Sequence, residues 1–246
     1  MISTTAPSRA PLRRRPLPRD RHLPDAHTGL ERGYAAVGLT DLVGHTPLLR
    51  LSRVTADLPA GIEVFAKAEW FNPSGSIKDR PALAILRHAL PELRAGKIAL
   101  DSTSGNMGIA YATLGRALGV EVRLAIPANV SPERLAILRA LGTDLILTDP
   151  TEGSDGAIRA ARALAAAEPD RYLYLNQYDN PANWRAHYES TGPEILRQTG
   201  GRVTHFVAGL GTSGTLMGVG RALKAADPLV QIASVEPETA FHGIEG

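Results

Sequence analysis

Not one cysteine stands among the 246 residues, which excludes disulfides, thiolate nucleophiles and cysteine-held metal from any account of the chain. Long apolar runs are missing too: no stretch approaches the ~20 consecutive apolar residues of a membrane-spanning helix, so a soluble protein without a membrane partner is expected. Net charge is small, at +2. Metal-ligand spacing is also lacking. His187, His205 and His242 are scattered, and structural or surface roles are expected of them, with no metal. What remains is ordinary globular composition, 43% hydrophobic and 21% charged, in a chain long enough for one large domain or two of about 100–150 residues.

Much of the positive excess lies in Arg13, Arg14, Arg15, Arg19 and Arg21, inside a proline-rich stretch with no apolar run behind it. Residues 1–36 are therefore expected to be a disordered basic tail, with no secretory signal and a cytoplasmic location. A nucleic-acid arm and an organelle-targeting segment are the competing readings of that tail. Pro11, Pro16, Pro18 and Pro24 oppose an amphipathic targeting helix, and no nucleic-acid partner is expected.

From residue 62 onward short β-branched runs alternate with longer helical patterns, the signature of a mainly parallel sheet wrapped by helices. Strands are expected at 62–68, 97–100, 120–126, 144–147, 172–175, 203–208 and 231–235, with helices at 106–118, 133–141, 155–167, 184–198 and 215–225. Ser131 is placed to cap a helix that Pro132 opens, and Gly119 and Gly142 stand where left-handed C-caps fall. Trp70, Trp184 and Phe206 are expected in the core or at a dimer face.

Three strand-to-helix turns hold the residues capable of chemistry. The first is Asn72-Pro73-Ser74-Gly75-Ser76-Ile77-Lys78-Asp79-Arg80-Pro81, where Ser76 and Asp79 have capping-box spacing and set Lys78 in the first turn of a helix. An ammonium at the positive end of a helix dipole is locally disfavoured. To act as nucleophile or base, Lys78 must lose its proton; the competing reading is a surface lysine offset by Asp79. The second turn, Ser102-Thr103-Ser104-Gly105-Asn106-Met107-Gly108, offers hydroxyls and backbone N–H groups suited to a carboxylate, or else an ordinary cap formed by Ser104 or Thr103. The third, Gly209-Leu210-Gly211-Thr212-Ser213-Gly214-Thr215, is a phosphate cradle by composition. It also fits a dinucleotide fingerprint, with Glu236 in the place of a ribose-binding acid, and the loop alone leaves monophosphate and dinucleotide open.

Taken in order, these loops resemble the β-family of pyridoxal phosphate (PLP) enzymes, the fold type II group that includes cysteine synthase and cystathionine β-synthase. The resemblance runs over residues 38–246 and includes the opening Leu42-Val43-Gly44-His45-Thr46-Pro47-Leu48. It implies an α/β fold of two three-layer α/β/α domains with mainly parallel sheets, tryptophan synthase β-like. Residues 37–82 plus 179–246 would form a large PLP-binding domain, incomplete at its C-terminus, and 83–178 a small mobile domain. It implies that Lys78 forms the Schiff base with PLP, that Asn106 bonds the ring hydroxyl, and that Gly211, Thr212, Ser213, Gly214 and Thr215 bind the phosphate. Thr103, Ser104, Gly105, Met107 and Gln177 would meet the substrate, largely at its carboxylate. Met107 departs from the family's usual threonine, removing a hydroxyl.

The activity implied is β-replacement on O-acetylserine or O-phosphoserine by a sulfur nucleophile, giving cysteine or a close analogue in a homodimeric enzyme. Lys78 would serve as general base at Cα. Elimination or deamination, cystathionine formation, and a truncated chain that only binds a partner are the alternatives. The stop at Gly246, where relatives continue for about a hundred residues, is read as truncation.

Overall fold

The computed structural model describes residues 37–238. The tail at 1–36 and His242 lie outside the described residues. Strand β1 (Leu48–Arg50) pairs antiparallel with β2 (Phe65–Lys67), in the register Leu48↔Lys67 and Arg50↔Phe65. A 3₁₀ turn at Glu69–Phe71 and an irregular loop then lead into α1 (Asp79–Arg94).

A parallel four-stranded sheet follows, in the order β5-β4-β3-β6. Its strands are β3 (Ile98–Ser102), β4 (Val122–Pro127), β5 (Asp144–Thr148) and β6 (Tyr172–Tyr174). Between them run α2 (Asn106–Leu118), α3 (Pro132–Ala140) and α4 (Gly153–Ala167). One face buries Leu124 and Ile126 against Ile85 and Leu86 of α1, Tyr111 and Leu114 of α2 and Leu138 of α3. The other face sets Leu100, Ala125 and Tyr172 against Ala157 and Ala161 of α4, whose four-residue spacing brings small side chains to one side of the helix. The result is three layers. Ser131 caps α3 by accepting from Arg134 N, Pro132 opens that helix, and Gly119 closes α2 with φ +70°, as the residue types require.

The expected helix at 184–198 is α5 (Pro181–Ala186), a π turn (His187–Thr191) and α6 (Gly192–Thr199) in succession. Pro193 has no N–H to continue the ladder, consistent with the widened turn before it. Strand β7 (His205–Gly209) pairs parallel with β8 (Gln231–Val235), and α7 (Gly214–Ala226) runs between them. Phe206 packs partly buried beside Val219 and Leu223, whereas Trp70 is 57% exposed and does not enter the core. His187 is buried and His205 exposed. The turns that leave β3, β6 and β7 all lie at C-terminal strand ends, the edge where parallel sheets present ligand-binding loops.

Candidate functional site

Lys78 occupies the N-cap position of α1 in αR geometry, not the first turn. The capping box expected of Ser76 and Asp79 does not form, and α1 has no side-chain cap. Asp79 accepts from Ser74, through the backbone N–H at 2.7 Å and through Oγ, while Ser76 Oγ instead accepts from Lys78 N at 3.2 Å. Gly75, at φ +84°, makes this compact turn possible. Burial raises the Asp79 carboxyl pKa against the opposing hydrogen bonds from Ser74. Asp79 is thus occupied and does not offset the lysine. Among the described residues no ion pair or hydrogen bond engages Lys78 Nζ; the side chain is half-buried, and burial lowers its pKa.

A buried ionic cluster that the sequence did not disclose holds this loop from behind. The Arg80 guanidinium forks onto Glu194 with two contacts of 2.8 Å and onto Glu69 with two more. Lys67 Nζ meets Glu194 at 2.7 Å and the Thr46 carbonyl at 2.6 Å. His45 N also donates to Glu194, and Gly44 N donates to Asn72 Oδ1 at 2.8 Å. Burial would raise the Glu194 pKa, but hydrogen bonds from Arg80 and Lys67 hold it down to about 2. The Leu42–Leu48 motif is therefore the backbone lining of this cluster.

On the second loop Thr103 and Ser104 are buried, Gly105 is half-buried and Asn106 is exposed as the first residue of α2. The helix has no side-chain cap; Thr103 Oγ1 accepts from Gly105 N instead. Arg134 of α3 donates to the Ser104 carbonyl at 2.7 Å, and Ser104 Oγ lies 3.3 Å from Ser154 Oγ. Met107, 2% exposed, packs in the core beside α1. Gln177 is buried, its Nε2 donating to the Ser102 carbonyl at 2.7 Å and its backbone N–H to Asp101 Oδ2 at 3.1 Å. Asp101 has no cationic partner among the described residues, and burial raises its pKa to about 7.

The third loop is tied to the second through Asn183 and Gln177. Asn183, on α5, donates to the Gln177 carbonyl at 2.8 Å and to Thr212 Oγ1 at 2.9 Å. Thr215 Oγ1 lies 3.4 Å from Nε2 of His187, whose other ring nitrogen meets Thr191. The His187 pKa is lowered to about 3 by burial and by the charges of Arg80 and Lys78. His187, whose pKa the Lys78 charge helps to lower, also touches the hydroxyl loop at Thr215. Gly211 is exposed, Gly214 buried, and Ser213 adopts φ +62°, a left-handed conformation rare for a side-chain-bearing residue. A cavity of about 200 Å³ lies here, lined by Tyr178, Asn183, Trp184, Thr212, Ser213 and Gly214, with Arg221 over the Trp184 ring at 4.2 Å. Lys78 is not among its lining residues. Asn183, Tyr178, Trp184 and Arg221 carried no sequence signal as site residues; Glu236 is exposed beyond the end of β8.

Residues 39–244 match the family described as pyridoxal-phosphate dependent enzyme. The chain is 56% identical over 208 residues to the cysteine synthase of Aquifex aeolicus, across 83% of this chain and 64% of that one. The crystal structure of a cysteine synthase from Entamoeba histolytica matches with a TM-score of 0.78 at 36% identity, covering 87% of this chain and 64% of that one. An O-ureido-L-serine synthase structure matches with a TM-score of 0.75 at 38% identity, covering 82% and 64%. The chain thus spans 64% of the length of each of these relatives. Its mixed α/β architecture with a parallel sheet is the tryptophan synthase β-like fold of those neighbours. With the family match running over most of its length, the chain belongs to the pyridoxal-phosphate dependent enzymes.

Proposed function

We propose that this chain carries the lysine and the phosphate cradle of a β-replacement enzyme. It would exchange the Cβ substituent of O-acetylserine or O-phosphoserine for a sulfur nucleophile, giving cysteine or a close analogue. The carrying observation is Lys78, a half-buried amine with a lowered pKa and no partner among the described residues. Its charge acts on a histidine that touches the hydroxyl loop of α7. The names of the relatives, two cysteine synthases and an O-ureido-L-serine synthase, support the substrate class.

The residues fit PLP. An aldehyde requires an amine not locked in an ion pair, and a phosphate requires donors, which Thr212, Ser213, Thr215 and the N-terminus of α7 supply. The bound cofactor supplies an electron sink for the bond broken at Cα. Lys78 then takes the proton from Cα, a task its lowered pKa favours. Thr103, Ser104 and Gly105, with Gln177 behind them, would orient the substrate carboxylate, and Asn106 would help to hold the cofactor. Met107, turned into the core, brings no hydroxyl to that loop.

A homodimer belongs to the same proposal, supported by the exposed apolar side chains Leu49, Phe65, Trp70 and Phe71. So do a cytoplasmic location and a small domain at 83–178 that closes over the site, the latter supported by the separate core that Ile195, Val219, Leu223 and Val230 form apart from the four-stranded sheet.

Adding PLP should produce a visible absorbance band, and borohydride reduction should label the peptide bearing Lys78. Lys78→Ala should abolish the label, and labelling retained on another lysine overturns the assignment. Product analysis with O-acetylserine, O-phosphoserine and serine, each with and without sulfide, tests the reaction; pyruvate alone would point to elimination.

A further inference from the structure

Asn183 is 5% exposed, and both hydrogens of its Nδ2 are committed, one to the Gln177 carbonyl and one to Thr212 Oγ1. Its Oδ1 fills the space over Gly214, where a Cβ would stand 2.0 Å from it. The consequence lies in the polarity of the Thr212 hydroxyl. A threonine hydroxyl has one hydrogen, and an amide nitrogen accepts none. With Thr212 Oγ1 accepting from Asn183, its own hydrogen is left for another partner, and Thr212 lines the cavity at the start of α7. A phosphate monoester near neutral pH is a strong acceptor carrying about −1.5 to −2 charges.

We infer that Asn183 is a positioning residue: it fixes the Thr212 hydroxyl as a donor to a terminal phosphate, and the same carboxamide ties the Gln177 segment to the phosphate loop. This rests on the proposed phosphate role of the loop that includes Thr212 and Gly214. Gly214 lacks a side chain because the carboxamide needs that volume.

Dissociation constants for PLP and for pyridoxal, which keeps the aldehyde and lacks the phosphate, test the inference on the full chain. Tryptophan fluorescence reports binding. Wild type should prefer PLP at least about tenfold. Asn183→Ala, which removes both donors without adding charge, should weaken PLP by about tenfold and pyridoxal by less than about twofold, a loss of about 1.4 kcal/mol confined to the phosphate. Asn183→Asp keeps the shape, forces the hydroxyl to donate backwards, and should lose more. Thr212→Val should match Asn183→Ala, and the double variant should lose no more than the larger single loss. Equal weakening of both ligands, or additive losses in the double variant, would overturn the inference and leave Asn183 a packing residue. A wild type without preference for PLP would sink the phosphate reading of the loop, and the inference with it. Melting temperatures measured on every variant separate loss of fold from loss of the phosphate contact.

Discussion

Arg80 lies two residues beyond Lys78, and its guanidinium is committed on both sides: a fork onto Glu194 and a second onto Glu69, all at 2.8 Å. Such a group stabilises only while every partner is present, because removing one leaves a buried charge without compensation. Lysine keeps the charge but lacks the planar fork. Arg80→Lys is therefore expected to cost about 3 kcal/mol in urea unfolding. Removing Arg50 from its exposed pair with Glu63 should cost less than about 1 kcal/mol. Equal effects would show that the cluster is not carrying the loop. Its importance was not legible in the sequence, because Arg80 and Glu194 are 114 residues apart and only Arg80 stands in one of the three loops. Lys78 stands out in the sequence, since an ammonium at a helix start conflicts with the local dipole and so demands a reason.

At the scale of elements, two glycines of α7 have opposite expected behaviour, Gly218 facing α5 and the π turn and Gly220 facing Ile232 of β8. A Cβ on Gly218 would stand 2.2 Å from the Trp184 carbonyl oxygen and 2.6 Å from His187 Cβ, and backbone cannot yield to it. Gly218→Ala should destabilise by roughly 2–3 kcal/mol or more. On Gly220 the nearest atom is Ile232 Cγ2 at 3.4 Å, so alanine fits and should gain up to about 1 kcal/mol of helix propensity. Thermal unfolding of the two variants should move in opposite directions. Most of this layer was readable from pattern: α2 and β8 fall on the residues their periodicity indicates, and the Ser131-Pro132 and Gly119 signals end helices as expected. What was not readable depends on partners. β1, three residues long, exists through pairing with β2, and the π turn accompanies Pro193 and the α7 crossing. The serine that binds the Asp79 carboxylate is Ser74, not Ser76, because the turn at Gly75 brings the more distant residue nearer. Of the three loops, the hydroxyl and glycine composition was visible, while Asn183 and Asp101, which tie the second and third through Gln177, are ordinary residues until the chain is folded.

For the molecule as a whole, two buried groups set opposing pH dependences. Burial raises the Asp101 pKa to about 7, with Tyr111, Tyr174 and Tyr178 around it. The native carboxyl therefore keeps its proton between about pH 4 and 7 while the unfolded chain has lost it, and stability falls as pH rises through that window, by about 4 kcal/mol in all. His187 acts in the other sense. Burial, with the charges of Arg80 and Lys78, lowers its pKa to about 3, so below about pH 6.5 the unfolded ring binds a proton that the native ring refuses. Stability is lost as pH falls from about 6.5 to 3, by roughly 5 kcal/mol. Between about pH 4 and 6.5 the two slopes cancel. Below that range Glu194, held at about 2, adds its own loss as it becomes protonated, and the acid limb steepens. Wild type should thus show a plateau in urea-derived stability over pH 4–6.5. His187→Gln, which removes one titration and leaves the other, should convert the plateau into a decline of about 3 kcal/mol with rising pH. A variant profile that runs parallel to wild type would mean that His187 does not refuse its proton in the folded chain, and a flat variant profile that Asp101 does not retain its own.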